Sequence, residues 1–116
     1  MRRGDIYLAQ FPFGDVPGMK LRPVLLLTGL GSIPEVLVAY ISSVVPTQPL
    51  PADVLIDPSR PEFGSTHLKT LSVLRLHKLA TIHASSLARY LGSIEAATLS
   101  VMATRLTTLL GLQPSK

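Results

Sequence analysis

The 116-residue chain contains no cysteine and no tryptophan. The missing thiols exclude a disulfide scaffold and a thiolate metal site. The three histidines, His67, His77 and His83, also lack the H-x-x-x-H or H-E-x-x-H spacing of a helical zinc site, so no metal and no cofactor are expected. Aromatic residues make up 5% of the chain against 47% for all apolar residues, which predicts a core of Leu, Val, Ile and Ala rather than stacked rings. Long hydrophobic runs are absent too. Stretches such as Val24 to Leu27 and Val36 to Ile41 fall far short of the roughly 20 residues that span a bilayer, so no membrane segment is expected. The basic Met1-Arg2-Arg3 is followed by Gly4-Asp5 where a signal peptide would need its apolar stretch, which makes the cytoplasm the expected location. No repeat, low-complexity tract or linker divides the chain, and its length suits one core, so a single domain over residues 1–116 is expected.

What is present is a basic, strand-patterned chain. Eleven Lys and Arg oppose seven Asp and Glu, giving a formal charge of +4, a balance that favours a polyanionic partner by steering and counterion release. Asp5 to Ala9 and Pro23 to Leu27 read as two strands joined by a long loop rich in Pro and Gly. Val36 to Ile41 is continuously apolar, as in a strand buried on both faces, and ends in Ser42-Ser43. Pro46, Pro49 and Pro51 interrupt the chain before the alternating Asp53 to Asp57. A strand is predicted around Leu71 to Arg75, and Lys78 to Ile82 either pairs beside it or begins a turn. Leu87 and Leu91, four apart, suggest a short helix over residues 85–91.

Towards the carboxyl end the period changes. Leu99, Met102, Ala103, Leu106, Leu109 and Leu110 repeat at three and four and share a helical face. Ser93 is placed to cap that helix, Glu95 to complement its dipole, and Gly111 and Pro114 to end it. The whole reads as short strands closed into a small barrel and packed by a carboxyl-terminal helix.

Specific motifs carry a resemblance. Arg3-Gly4-Asp5-Ile6-Tyr7-Leu8, then Phe11-Pro12-Phe13, then Gly18-Met19-Lys20-Leu21-Arg22-Pro23-Val24-Leu25-Leu26-Leu27, is similar to the opening of the MazF/PemK toxin family, in particular a PemK-like branch. Ala39-Tyr40-Ile41-Ser42-Ser43, Leu50 to Asp57 and Thr70 to Ile82 resemble the strands that follow, in the same order; the likeness is close over residues 3–82 and looser in the final helix. It implies a mainly β fold, an SH3-like barrel of the MazF, Kid and CcdB type with a carboxyl-terminal helix. It further implies a homodimer, a cognate antitoxin peptide as partner, and metal-independent, sequence-specific cleavage of single-stranded messenger RNA. In that chemistry the ribose 2'-hydroxyl attacks and leaves a 2',3'-cyclic phosphate.

The resemblance also implies site residues. Arg22 matches the family's essential Arg, and a guanidinium can grip a phosphate through two parallel hydrogen bonds. Ser42 stands where the family usually has a catalytic Thr, and Ser43 beside it is placed with the RNA-binding residues. Arg75 matches a second Arg, and His77 takes the place of an acidic residue two positions on. Arginine stays protonated, so another base is wanted, and His77 is chemically suited to accept the 2'-hydroxyl proton. Lys20 is placed to attract the RNA backbone, and Phe11 and Phe13 to stack bases. His67 and His83 carry no assigned role. The first loop lacks the Glu-Gln of many characterised toxins, so base preference does not transfer. The alternative is a non-catalytic protein on the same fold, either binding nucleic acid or inhibiting gyrase as CcdB does through its carboxyl-terminal helix.

Overall fold

Gly4 has a φ of +93°, a conformation in which an L side chain would be strained, and this explains the Gly-Asp pair before the first strand. From that position Gly4 N donates to Leu26 O at 2.8 Å and Gly4 O accepts from Ile94 N at 3.0 Å, so one glycine ties together three segments distant in sequence. Asp5 closes the turn by accepting from Arg2 N at 2.9 Å. The structure, a computed structural model, describes residues 1–11 and 20–112, with Phe11 and Lys20 described as backbone only.

The elements run β1 (Asp5–Phe11), β2 (Lys20–Leu26), β3 (Glu35–Ser42), β4 (Val54–Ile56), β5 (Ser72–His83), β6 (Leu87–Ser93) and α1 (Ala96–Leu110). Short 3-10 helices cover Pro61–Thr66 and Ala84–Ser86. The strands form one antiparallel sheet of order β4-β5-β3-β2-β1-β6, curled into a half-barrel with the single helix packed against it. This is the expected fold class.

Strand β3 sits centrally between β2 and β5 and is buried on both faces, as its unbroken apolar run predicts. Its Val36 and Val38 join Ala9, Val24, Leu26 and Ile82 in one cluster. Its Ala39 and Ile41 join Ile6, Leu25, Leu74, Leu76 and Met102 in the other, which the helix covers. Each fully buried Leu, Ile or Met contributes about 1.5–3 kcal/mol.

Three expectations are corrected. Residues 87–93 form β6 rather than a helix, because a spacing of four between Leu87 and Leu91 also fits a period of two, and β1 offers a strand edge to pair with. Ser93 does not cap α1. It ends β6, its carbonyl accepts from Ser65 Oγ at 2.8 Å, and the chain stays extended through buried Ile94 to Glu95, the actual N-cap. On α1 the core face carries Thr98, Leu99, Met102 and Leu106, whereas Ala103 is exposed beside it and Leu109 and Leu110 are exposed where the helix runs past the sheet. Gly111 ends it in the left-handed conformation, as expected; Pro114 lies outside the described residues.

Candidate active site

Pro23 carries no backbone N–H, and the β2–β3 ladder begins one residue after it, at Val24 opposite Tyr40. Extending that register by two sets Arg22 across from Ser42, both at the end of the paired region. Side chains alternate along strands, so Arg22 shares a face with Val24, and Tyr40 shares that face by pairing with it. The two side chains meet. Arg22 Nη1 donates to Tyr40 Oη in a long hydrogen bond of 3.5 Å.

A bulge in β5 completes the group. Ala39 pairs with Leu79, yet the next residue, Tyr40, pairs with Arg75, so Leu76, His77 and Lys78 arch out of the ladder opposite a single step of β3. Leu76 turns into the core, Lys78 is exposed, and the His77 side chain is partly buried, 28% exposed. Lys78 Nζ sits 5.8 Å from the centroid of the Tyr40 ring, a cation–π contact worth about 0.5–1 kcal/mol at an exposed position. Arg22 and Lys78 thus meet one tyrosine side chain from two strands, and Arg75 is its partner across the ladder.

The counter-charge is Asp53, whose side chain is 1% exposed. Arg75 Nε lies 3.0 Å from its Oδ1, and His77 Nδ1 lies 3.8 Å from the same oxygen, beyond hydrogen-bond reach. Its Oδ2 accepts from Leu50 N at 2.8 Å, and its backbone carbonyl accepts from Arg105 of α1. Asp53 therefore fixes Arg75 and locks the turn before β4 to β5 and α1. Burial, then the Arg75 guanidinium, hold the His77 imidazole below the ordinary histidine value of 6.5, with Lys78 adding to this and Asp53 opposing it. His77 is accordingly neutral at neutral pH. Among the described residues, three cations against one carboxylate make a face suited to a phosphodiester.

Ser42 is buried, 8% exposed, and its hydroxyl is already engaged: it accepts from Val44 N at 3.1 Å and faces Val44 O at 3.4 Å. Ser43 is exposed and lines a cavity of about 600 Å³ at the end of the sheet, together with Arg22, His67, Lys69, Thr70 and Arg89. The structure thus gathers Arg22, Arg75 and His77 around Tyr40 and Asp53, and sets Ser43 with Arg22 in the cavity. Lys20 is placed in β2 by its backbone alone, and Phe13 and the Phe11 side chain lie outside the described residues. Among the described residues no three His, Asp or Glu side chains come together as a metal site, and no helix is long and apolar enough to cross a membrane.

Tyr40, Lys78 and Asp53 were not singled out in the sequence. Tyr40 was within reach of strand alternation, since it lies two residues before Ser42 on the same strand face. Lys78 becomes a neighbour only through the bulge, and Asp53 only through folding.

Comparison with known proteins supplies the wider context. The family model of PemK-like, MazF-like toxins of type II toxin–antitoxin systems matches residues 2–110. The fold is similar to Mycobacterium tuberculosis toxin MazF-mt6, with a TM-score of 0.75 and 26% identity over 95% of this chain and 99% of that one. It is also similar to an endoribonuclease from a mycobacterial species in complex with its cognate antitoxin, with a TM-score of 0.72 and 21% identity over 99% of each chain. A MazE–MazF structure from Deinococcus radiodurans gives 0.70 and 16% identity over 96% of this chain and 95% of that one. No curated protein sequence matches significantly.

Proposed function

The chain belongs to the PemK-like, MazF-like toxins of type II toxin–antitoxin systems, and on that premise we propose that it is an endoribonuclease that cuts single-stranded messenger RNA at specific sequences. The observation that carries the reading is the cluster of Arg22, Lys78 and Arg75 around Tyr40, with the neutral His77 beside it on the same bulged strand. Structural relatives that are endoribonucleases, one of them bound to its antitoxin, support it.

The proposed reaction uses the substrate's own nucleophile. His77 takes the proton from a ribose 2'-hydroxyl; the 2'-oxygen bonds to phosphorus as the bond to the 5'-oxygen breaks, and that oxygen takes a proton from solvent. The products are a 2',3'-cyclic phosphate and a 5'-hydroxyl end, and the step calls for no metal or cofactor. Arg22 and Arg75 neutralise charge building on the phosphoryl oxygens. Ser42 exchanges its contacts with Val44 for the phosphate, Ser43 and Lys20 hold the flanking backbone, and Phe13 stacks a base.

The whole chain works as a single toxin domain, in the cytoplasm, as a homodimer silenced by an antitoxin peptide. Leu55, Val101 and Leu109 remain exposed on the described surface, which supports association through an apolar face. The test is to incubate purified protein and its Arg22→Ala variant with long single-stranded RNA in excess chelator. Discrete cuts with 5'-hydroxyl ends, lost in the variant, are expected; intact RNA with the wild-type protein refutes the reading. Sedimentation of the same preparation reads the stoichiometry.

A further inference from the structure

The cavity at the end of the sheet has the build of a nucleotide seat. Leu8 pairs with Pro23 on one side and Arg89 on the other, and Ile41, Leu68 and Leu91 extend this into an apolar floor. Lys69 and Arg89 line it as cations, Ser43 and Thr70 as hydroxyls, and no carboxylate lines it among the described residues. Its volume of about 600 Å³ falls in the usual range of small-ligand sites, roughly 300–1,000 Å³. Arg22 and Tyr40 also border it, at the end of the β2–β3 pair, with the Leu8 and Pro23 side chains on the opposite face of the sheet from theirs.

His67 is held at this cavity by two constraints. It is the one non-glycine residue with positive φ among the described residues, at +54°, and its Nδ1 lies 2.7 Å from Leu91 O. A carbonyl oxygen only accepts, so Nδ1 carries the proton, and whenever the ring holds a single proton Nε2 is the acceptor. Such an acceptor complements an amino or hydroxyl group of a nucleoside.

We propose that this cavity seats one nucleotide of the single-stranded RNA, where the strand passes round the end of the β2–β3 pair from the Arg22 face. Its phosphate lies at Lys69 and Arg89, its base on the floor of Leu8, Pro23 and Leu91, and a polar edge faces His67. This rests on the ribonuclease reading above for its substrate. An acidic antitoxin side chain would satisfy the two cations but would leave the floor idle, which favours the nucleotide.

The test titrates the isotope-labelled full chain with each of the four nucleoside 5'-monophosphates, and separately with inorganic phosphate and a Glu-rich peptide, while following backbone amides. In parallel, kcat and KM for a single-stranded RNA are measured for the wild type, for Lys69→Gln with Arg89→Gln, and for Lys69→Arg with Arg89→Lys. Expected are saturable shifts at residues 67–70 and 89–91 with at least one mononucleotide, and roughly tenfold weaker response to inorganic phosphate. The Gln pair raises KM roughly tenfold or more with kcat little changed, and the charge-preserving pair restores it. Equal response to phosphate, response to the peptide alone, or a wild-type KM in the Gln pair overturns the proposal. If a mononucleotide saturates the cavity but the wild-type protein cuts no RNA, the nucleotide seat stands and the ribonuclease reading falls.

Discussion

The Arg22 guanidinium reaches across the β2–β3 pair to the Tyr40 hydroxyl, 3.5 Å away, while Lys78 lies over the same ring. Tyr40 thereby holds one nitrogen of the guanidinium. Arg22→Lys is expected to lower kcat by about 10²-fold or more, because a point charge cannot reproduce the planar fork. Tyr40→Phe keeps the ring under Lys78 and removes the hydroxyl that accepts from Arg22, a change of about 1 kcal/mol, or several-fold in rate. Single-turnover cleavage in chelator measures both. Wild-type rate in Arg22→Lys would show that geometry at Arg22 is irrelevant.

A base must be neutral to act, and His77 titrates below 6.5 because of burial first and Arg75 next. The cleavage rate should therefore rise with pH along one limb with its midpoint below that value, and be flat at neutrality. Arg75→Gln removes a positive neighbour and moves the midpoint up; Asp53→Asn removes the stabilising carboxylate and moves it down. The same shift links to stability. With a depressed folded value, the unfolded chain binds the proton first as pH falls, so the contribution of His77 is complete above about 6.5 and is lost as pH drops through the folded value. Urea midpoints of wild type and His77→Gln against pH should converge on acidification. A cleavage limb that survives His77→Gln unchanged assigns the base elsewhere.

Asp53 is the one carboxylate of the cluster among the described residues and is nearly inaccessible, with Arg75, Leu50 N and Arg105 around it. Asp53→Ala should destabilise the protein by about 3 kcal/mol, since it strands the half-buried Arg75 and the Leu50 amide together. Asp53→Asn should cost less, because an amide oxygen still accepts from Leu50 N. Equilibrium urea unfolding reads both, and a loss under about 0.5 kcal/mol for the alanine variant would place Asp53 among ordinary surface positions.

How far the chain reveals itself depends on the range of the interaction. The alternation from Asp5 to Ala9, the unbroken run Val36 to Ile41 and the three-four repeat to Leu106 are local patterns, and each became the element it suggests. Strand β5 was legible as two halves, Leu71 to Arg75 and Lys78 to Ile82, but their union through a bulge depends on β3 holding both. The position of Arg22 at a strand entrance is written in Arg-Pro; its partner Tyr40 is set by register, which no local pattern fixes. Asp53 reads as a polar residue at a strand start, and only the fold buries it. His67 carries no role in the sequence because its constraint, the Leu91 carbonyl, lies 24 positions away.

Gly92 shows how tightly the cavity is tied to the edge of the sheet. A Cβ there would sit 2.2 Å from Ser65 O and 2.8 Å from Thr66 C and O, and these are backbone atoms that cannot rotate away. The segment is clamped on both sides, by Ser65 Oγ to Ser93 O at 2.8 Å and by His67 Nδ1 to Leu91 O at 2.7 Å. Gly92→Ala must therefore push the 3-10 helix off β6 and carry His67 with it. A cost of about 3 kcal/mol is expected, at the upper end for overpacking, together with weaker mononucleotide shifts at residues 67–70. Gly31→Ala is the control: among the described residues nothing lies within 4 Å of its Cβ, and it should stay within about 0.5 kcal/mol of wild type. Equal urea midpoints for the two variants would mean that the 3-10 helix moves freely over β6, and that the position of His67 is not set by the sheet.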